Sequence, residues 1–562
     1  MSVTTGSIVT RVYKDFRGVD FSNKNVSIFR SPNALNVWKN YKDSLGKCIE
    51  TRPDIELVEE YSGTIYGLFF YTINGEQHKI VHCDNKLYDN GEIVFEEMNE
   101  AKSQSFIYNN KLYIKDGLNY LQYDGTNISQ VIGYVPTTSI SRAPSGGGEI
   151  YQDVNFLSDY RINSFCADGE STEYYLDATN IDTDFEPQVT VNNGTVPNFT
   201  VNYSQGKITF SQAIDAPLTD GQDNVFIKFK KKIDGYKERI TKCTLLTVFD
   251  NRVFFAGNPD YPNMLFHCSL DEPTYCSDLD YYTEGVDDSQ IKALISGNNA
   301  LWVIKEPSQS NTTVFYHNPA NDSDYGKVYP SVHSSISTGC IANGVNFNDD
   351  IIFFSDRGME AISGDVTTEQ VLAHRSSLID AKLLSEENYK DLILEEYEGY
   401  LLVIIDNKVY LADSRQKFTQ DDHVEYEWYY WELSKKITCT QVKNGVLYLC
   451  AKDGIYTLTN KEPEIETRWT TPDDDYGYPY YQKTTNKKGA TVSITGKEVT
   501  ISVKTDNNQF EKIDKYKNTK GYVVFKIKKK KWKNIQLKLT SNKPIGISEI
   551  TLLSYLGAYI KR

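Results

Sequence analysis

The chain has 562 residues with 60 Lys+Arg against 76 Asp+Glu, a formal net charge of −16, and an aromatic share of 13% that includes 41 Tyr and 25 Phe. That length fits about three or four domains with sizeable cores, and aromatic-rich composition suits pleated surfaces, so a mostly β protein is expected. The longest aliphatic run, Leu401 to Ile405, is far short of the roughly 18–20 residues of a membrane-spanning helix.

The first sixty residues open on "MSVTTGSIVTRVYKDF". No basic stretch leads into an apolar one there, so no secretory signal is expected and the protein reads as made in the cytoplasm. Nine cysteines with no CxxC spacing read as reduced thiols rather than a disulfide framework. From Tyr61 onward short apolar runs alternate with tight turns, as in "DNKLYDNGEIVF" (Asp84 to Phe95) and "YNNKLYIKDGLNYLQYDG" (Tyr108 to Gly125). These predict the first propeller blades over 61–142. Three successive glycines in "RAPSGGGE" (Arg142 to Glu149) read as a linker. Alternating polar and apolar residues then predict a small inserted β-sandwich over 150–235.

The hairpin theme returns over 236–462. Turn residues fall at Asn251, Asn299, Asp350, Gly399 and Asn444, in steps of 48, 51, 49 and 45. A period in the forties with several strands per repeat and no helical stripe is the mark of a β-propeller blade, and six or seven blades are expected. Stacked hairpins bury faces that one hairpin leaves open. Residues 463–562 change character again and predict a terminal β-sandwich. Charge changes there too. Residues 465–562 hold 20 Lys+Arg against 9 Asp+Glu, a net of +11, which leaves −27 on the rest. A basic module on an acidic body predicts two different partners, or one partner surface for each sign.

Catalytic constellations are sparse. His78 and His82 in "HKIVH" share a strand face but lack the Glu of a zinc-protease helix. "SDRGME" (Ser355 to Glu360) has neither the spacing nor the final Trp of a sialidase Asp-box. "DDD" (Asp473 to Asp475) lacks the Asp-x-Asp-x-Asp-Gly layout of a calcium loop. No GxSxG elbow, P-loop or dinucleotide fingerprint occurs. No enzyme activity, metal or cofactor is expected. The strongest local signal is "KIKKKKWK", with Lys526, Lys528, Lys529, Lys530, Lys531 and Lys533 around Trp532. It reads as a subunit or partner contact, as a DNA contact through phosphates and stacking, or as a solvated face with Trp532 in the core.

The segment "DFRGVDFSNKNVSIFRSPNALNVWKNYKDSLGKCIETRPD" resembles the opening of tail hub and tail nozzle proteins of tailed bacteriophages, called packaged-DNA stabilisation proteins in podoviruses. Ser31, Pro32, Asn33, Asn36, Arg52 and Pro53 carry the likeness, and Asp54 stands where that family has Gly. "FDNRVFFAGNPDYPN" (Phe249 to Asn263) resembles the family's propeller strand, and "RINSFCADGESTEYYLDAT" is similar to small sandwiches of phage structural proteins. The resemblance implies a non-enzymatic virion protein. It would form a sixfold ring of its own copies, contacting tail adaptor or portal-side proteins and tail fibres. Double-stranded DNA would be retained by the ring and then pass through it without sequence-specific binding. An acidic wall suits that passage, because it repels phosphates. The alternative is a glycan-binding, tailspike-like propeller that stacks sugars on the aromatic loop Tyr476 to Tyr481, and a third reading is a surface adhesin.

Overall fold

A two-residue hairpin turn requires φ > 0 at both central residues, a demand that Asn, Asp and Gly meet most easily. In the computed structural model, among the described residues, seven such turns hold the same place in a sheet: Asn74-Gly75, Asn109-Asn110, Asp250-Asn251, Asn298-Asn299, Asn348-Asp349, Glu398-Gly399 and Asn444-Gly445, with φ between 45° and 88°. Each turn joins the first strand of a four-stranded antiparallel sheet to its second. The structure describes residues 6–559 apart from 23–24, 43–46, 193, 324–325, 364–369, 421–422 and 460.

The first four sheets begin at Ile65–Ile73, Gln104–Tyr108, Leu245–Phe249 and Ile291–Gly297, and three more at Gly344–Phe347, Ile393–Tyr397 and Ile437–Lys443. These are the blades of an all-β propeller, the fold class expected. One expected turn residue moves: Asp350 opens the strand Asp350–Ser355, and the turn is Asn348-Asp349. The second strands Ala300–Lys305 and Tyr400–Ile405 are buried along their whole length. That explains the run at Leu401 to Ile405, since a strand covered on both faces has no polar alternation.

The chain divides into two compact units. The unit of residues 69–339 contains the inserted module. Its five-stranded sheet runs in the order Glu149–Ile150, Thr137–Arg142, Tyr160–Phe165, Val225–Lys230, Gln188–Val191, and its three-stranded sheet in the order Glu173–Tyr175, Lys207–Phe210, Phe199–Asn202. Phe165, Tyr174, Ile208, Phe210, Ile227 and Phe229 are among the residues of its own core. The module therefore starts at Thr137, not at 150, and the three glycines are not a linker. Gly146, Gly147 and Gly148 all have φ > 0 and turn the chain back so that Glu149–Ile150 pairs with Ser139 and Ile140. Arg142 fastens the turn by donating from Nη1 to the Gly147 carbonyl at 2.5 Å and from Nη2 to the Tyr175 carbonyl at 3.0 Å.

The unit of residues 1–68 and 340–562 shows why 1–60 is not a separate segment. Ile55–Glu60 is the fourth strand of the last blade, paired with Gly454–Leu458. Gly454, at φ 148°, admits that approach, because a Cβ there would lie 2.2 Å from the Glu59 carbonyl oxygen. Ile8–Tyr13, Val37–Trp38 and Ile49–Thr51 join the strands of 463–562 in one nine-stranded sheet. The backbone of that sheet is the 25-residue strand Tyr481–Thr505. At Gly496 it exchanges Ile545–Tyr559 for Ile535–Ser541 as its partner on one side, while Glu511–Phe525 stays on the other.

The boundary of the inserted module can be checked directly. A fragment of residues 136–231 is expected to unfold cooperatively on heating by itself. A fragment of 150–231 loses Thr137–Arg142 and its pairing with Tyr160–Phe165. It should melt roughly 5–10 °C lower, the shift expected for about 1–2 kcal/mol in a domain of this size. Equal melting of the two by circular dichroism would return the boundary to the glycines.

Candidate functional site

The lysine run lies on one edge of the terminal sheet. Lys530–Trp532 pairs with Lys483 and Thr484 of the long central strand. Ile527 and Trp532 are buried, while Lys526, Lys528, Lys530, Lys531 and Lys533 are exposed. Trp532 meets Tyr476 edge-on at 5.3 Å. Beneath it the fully buried Lys483 donates to the carbonyls of Tyr478, Lys533 and Tyr481 at 2.8, 2.9 and 3.1 Å. Burial lowers the pKa of that ammonium. The tryptophan therefore anchors the run to the core and is not presented for stacking on a base. Lys529 differs from its neighbours: it is half-buried and bound to Glu511 at 2.6 Å.

The adjoining strand Glu511–Phe525 extends the positive surface with exposed Lys512, Lys515, Lys517 and Lys520. Lys515 pairs with Glu498 at 2.7 Å. Among the described residues Lys512, Lys517, Lys520, Lys526, Lys528, Lys530, Lys531 and Lys533 form no salt bridge. Sequence analysis identified the run but not this strand, whose lysines are spread over nine residues, from Lys512 to Lys520. A lysine-lined edge also discourages pairing with a foreign strand.

The six residues that carry the family likeness are brought together by a different logic. Asn36 sits at φ 54°. Its Oδ1 accepts from Arg52 Nε and from the Glu432 backbone N–H, both at 2.9 Å, and its Nδ2 donates to the Glu466 carbonyl at 2.8 Å. Arg52, 1% exposed, also donates to the carbonyls of Pro53 and Glu432 at 2.7 Å. Burial lowers its pKa to about 10, against the pull of Asp54 at 3.7 Å. Buried Ser31 accepts from the Asn33 and Thr470 N–H groups at 3.2 Å. Pro32 is half-buried and Asn33 is exposed. The motif is thus a polar knot that ties the N-terminal segment to the end of the sixth blade at Tyr430–Glu432 and to Thr467–Thr470. Asp54, the departure from the family pattern, supplies the carboxylate nearest the guanidinium.

The remaining candidates resolve into structure. Asp474 accepts from Arg11 Nη2 at 2.7 Å, Tyr13 Oη at 2.8 Å and the Tyr476 N–H at 2.6 Å, so its charge is met within the fold. His78 binds Asp89 at 2.6 Å, and buried His82 binds Ser103 Oγ and the Asp84 carbonyl. Of the aromatic loop, Tyr476 is in the core, whereas Tyr480 is exposed beside Tyr559.

One cluster that was not singled out from sequence brings acid, imidazole and hydroxyl together. His374 lies 2.7 Å from Asp380 and 3.3 Å from Glu360. Burial opposes its charge, but the hydrogen bonds to Asp380 and Glu360 outweigh that and raise its pKa to about 10. Ser376 Oγ donates to Asp380 at 2.6 Å and accepts from the Met359 N–H at 2.8 Å. An imidazolium between two carboxylates has no lone pair for a serine proton, so the cluster is an ion-pair lock rather than a nucleophile and base. Its parts are scattered from 360 to 380, and no fixed spacing marks them.

No family model matches the chain, and neither does any curated protein. Among solved structures, BamB from Moraxella catarrhalis is 11% identical, over 72% of this chain and 96% of that one, with a TM-score of 0.33. An exo-beta-1,3-galactanase from Phanerochaete chrysosporium with galactose is 8% identical, over 55% and 94%, with a TM-score of 0.21. These likenesses are slight, and the blades are read from strand order and turns.

Two substitutions test the assignments. Arg52→Met takes the guanidinium from the Pro53 and Glu432 carbonyls and from Asn36 Oδ1, which keeps the Glu432 N–H, and is expected to cost about 1–3 kcal/mol, read as a lower urea midpoint at unchanged slope. For His374 the folded pKa of about 10 lies above the ordinary 6.5. Its contribution is complete below pH 6.5 and disappears as pH rises through about 10. The native protein should therefore lose more melting temperature between pH 7 and 10 than His374→Gln does.

Proposed function

We propose that this chain is a structural subunit of a tailed-bacteriophage tail hub or nozzle. It assembles as a sixfold ring around the DNA path and seats itself through the lysine edge of its terminal module. The observation that carries the reading is that edge: eight exposed lysines without internal partners, backed by buried Ile527 and Trp532, on a chain whose remainder is acidic. The N-terminal likeness to tail hub and nozzle proteins supplies the setting. The knot around Arg52 suits a part that must stay assembled while DNA moves past it.

Charge explains why such a ring needs the module. Acidic bodies gathered around an axis repel one another within a Debye length of about 8 Å. A basic edge that meets an acidic face of a neighbour or adaptor offsets that repulsion and fixes orientation. A single exposed pair is worth roughly 0–1 kcal/mol, so the effect belongs to the whole edge. The same chemistry would fasten DNA if it faced the conduit, but a polymer that must slide is better served by the acidic remainder.

The test replaces Lys528, Lys530, Lys531 and Lys533 with Gln and leaves Lys529 to its bond with Glu511. The variant is expected to fold and melt normally. It should enter rings and tails about tenfold more weakly at low salt, with a flatter salt dependence than the native protein. Mass measurement should find six copies per ring. Normal assembly across the salt range would make the edge a solvated face. Normal assembly with lost affinity for free DNA would transfer the lysines to nucleic acid. A trimer or monomer that degrades or binds a polysaccharide would favour the glycan reading.

A further inference from the structure

The last blade sets two thiols opposite each other. Cys439 on Ile437–Lys443 and Cys450 on Val446–Ala451 are direct partners in antiparallel register. Such partners point to the same face with Cβ atoms about 4.5–5.5 Å apart. A disulfide needs Cβ atoms about 3.5–4.5 Å apart and Cα atoms about 4.4–6.8 Å apart, so a movement on the order of an ångström separates the pair from a bond. The register shifts between Ile437 and Cys439, and a bulge beside Cys439 lets the strand twist that far. Cys439 is near enough to add to burial in raising the pKa of the Cys450 thiol. Both are free, Cys450 is buried and Cys439 is half-buried. Among the described residues no other two cysteines are strand partners.

We infer that Cys439 and Cys450 form a modification site, a reversible cross-strand disulfide made by exchange with a small-molecule disulfide. Cys439, the accessible one, loses its proton, and its thiolate attacks one sulfur of the reagent. An S–S bond forms to Cys439 as the reagent's own S–S bond breaks, and one thiolate departs. Cys450 then gives up its proton to solvent and attacks the Cys439 sulfur, displacing the second thiolate. The protein loses two protons and two electrons, and the reagent takes up the equivalent to become two thiols. Burial holds the Cys450 thiol well above its ordinary range. The second step is therefore the slower one and accelerates with pH, because only the thiolate attacks.

The site has a structural consequence whatever the protein assembles into. The bond would close the hairpin around Asn444-Gly445, in the blade whose outer strand is Ile55–Glu60. It would fasten the first two strands of the sheet in which Gly454–Leu458 meets the distant Ile55–Glu60, and leave the other pairings as they are.

The folded protein, verified by circular dichroism, is incubated with oxidised glutathione at pH 7 and pH 8.5. It is then alkylated, denatured and digested without reduction. The expected product is one linked peptide pair that contains Cys439 and Cys450, formed several-fold faster at pH 8.5, with the other seven cysteines still alkylatable after denaturation. Cys439→Ser should give no link and no adduct on Cys450. Alkylation of all nine cysteines, a lasting glutathione adduct on Cys439, or links from either residue to another cysteine would each overturn the inference.

Discussion

One guanidinium holds the unit of residues 1–68 and 340–562 in register. Arg52 is buried, and its hydrogen bonds end on the Asn36 side chain and on the Pro53 and Glu432 carbonyls. Taking the charge out of water costs several kcal/mol, and each charge-assisted bond returns about 1.5–3 kcal/mol. The net gain in stability is small, but the gain in specificity is not. This placement of the N-terminal segment gives those donors their acceptors, and three residues later the chain enters Ile55–Glu60. A slip of one residue there would turn every side chain of that strand to the wrong face, so the knot also sets the pairing of the last blade.

The blades were legible because their turns are. Asn-Gly, Asn-Asn and Asn-Asp pairs state the backbone geometry outright, and the spacing of Asn251, Asn299, Gly399 and Asn444 repeats it. The terminal module was legible only in part. Trp532 and Ile527 alternate with lysines, and the pattern gives the inward face. The strands it borrows from the N-terminus are as short as Val37–Trp38, too brief to show any period. The inserted module was misjudged at its start for another reason. Three glycines suggest slack, yet here each supplies φ > 0 in a turn that Arg142 clasps, a contact no local pattern reveals. The site residues divide in the same way. Ser31, Asn36 and Arg52 stood out as a motif, but their partners at Glu432, Glu466 and Thr470 lie roughly four hundred residues away in sequence.

The lysine edge and the knot are opposite uses of positive charge. Inside, Arg30 is matched bidentately to Glu427 at 2.7 Å, and Arg11 to Asp474. Arg suits those places, because its planar fork meets a carboxylate with two parallel bonds. Outside, the terminal module uses Lys almost throughout, a compact and well-hydrated cation on a flexible stem. Such an edge is soluble alone, resists strand pairing, and still attracts an acidic surface over a Debye length. A rigid arginine edge would have been a stronger glue and a worse guard against mispairing.

The order of assembly follows from the same contacts. Ile55–Glu60 pairs with Gly454–Leu458, so it waits for nearly four hundred further residues to be made. Ile8–Tyr13 waits longer, for Ile545–Tyr559. Non-local pairings of this span are slow, because the loop entropy is lost before any contact compensates for it. In the meantime the early strands present open edges, the usual route to misassembly in a large β protein. The chain limits the hazard by keeping those strands short and by placing charge in Ile55–Glu60, whose sequence is IELVEE. Once Arg52 has found Asn36 and Glu432, the strand that follows is already beside its partner, and the final pairing becomes a local step. The knot therefore converts the least local contact of the blades into one guided by its immediate neighbours in the chain.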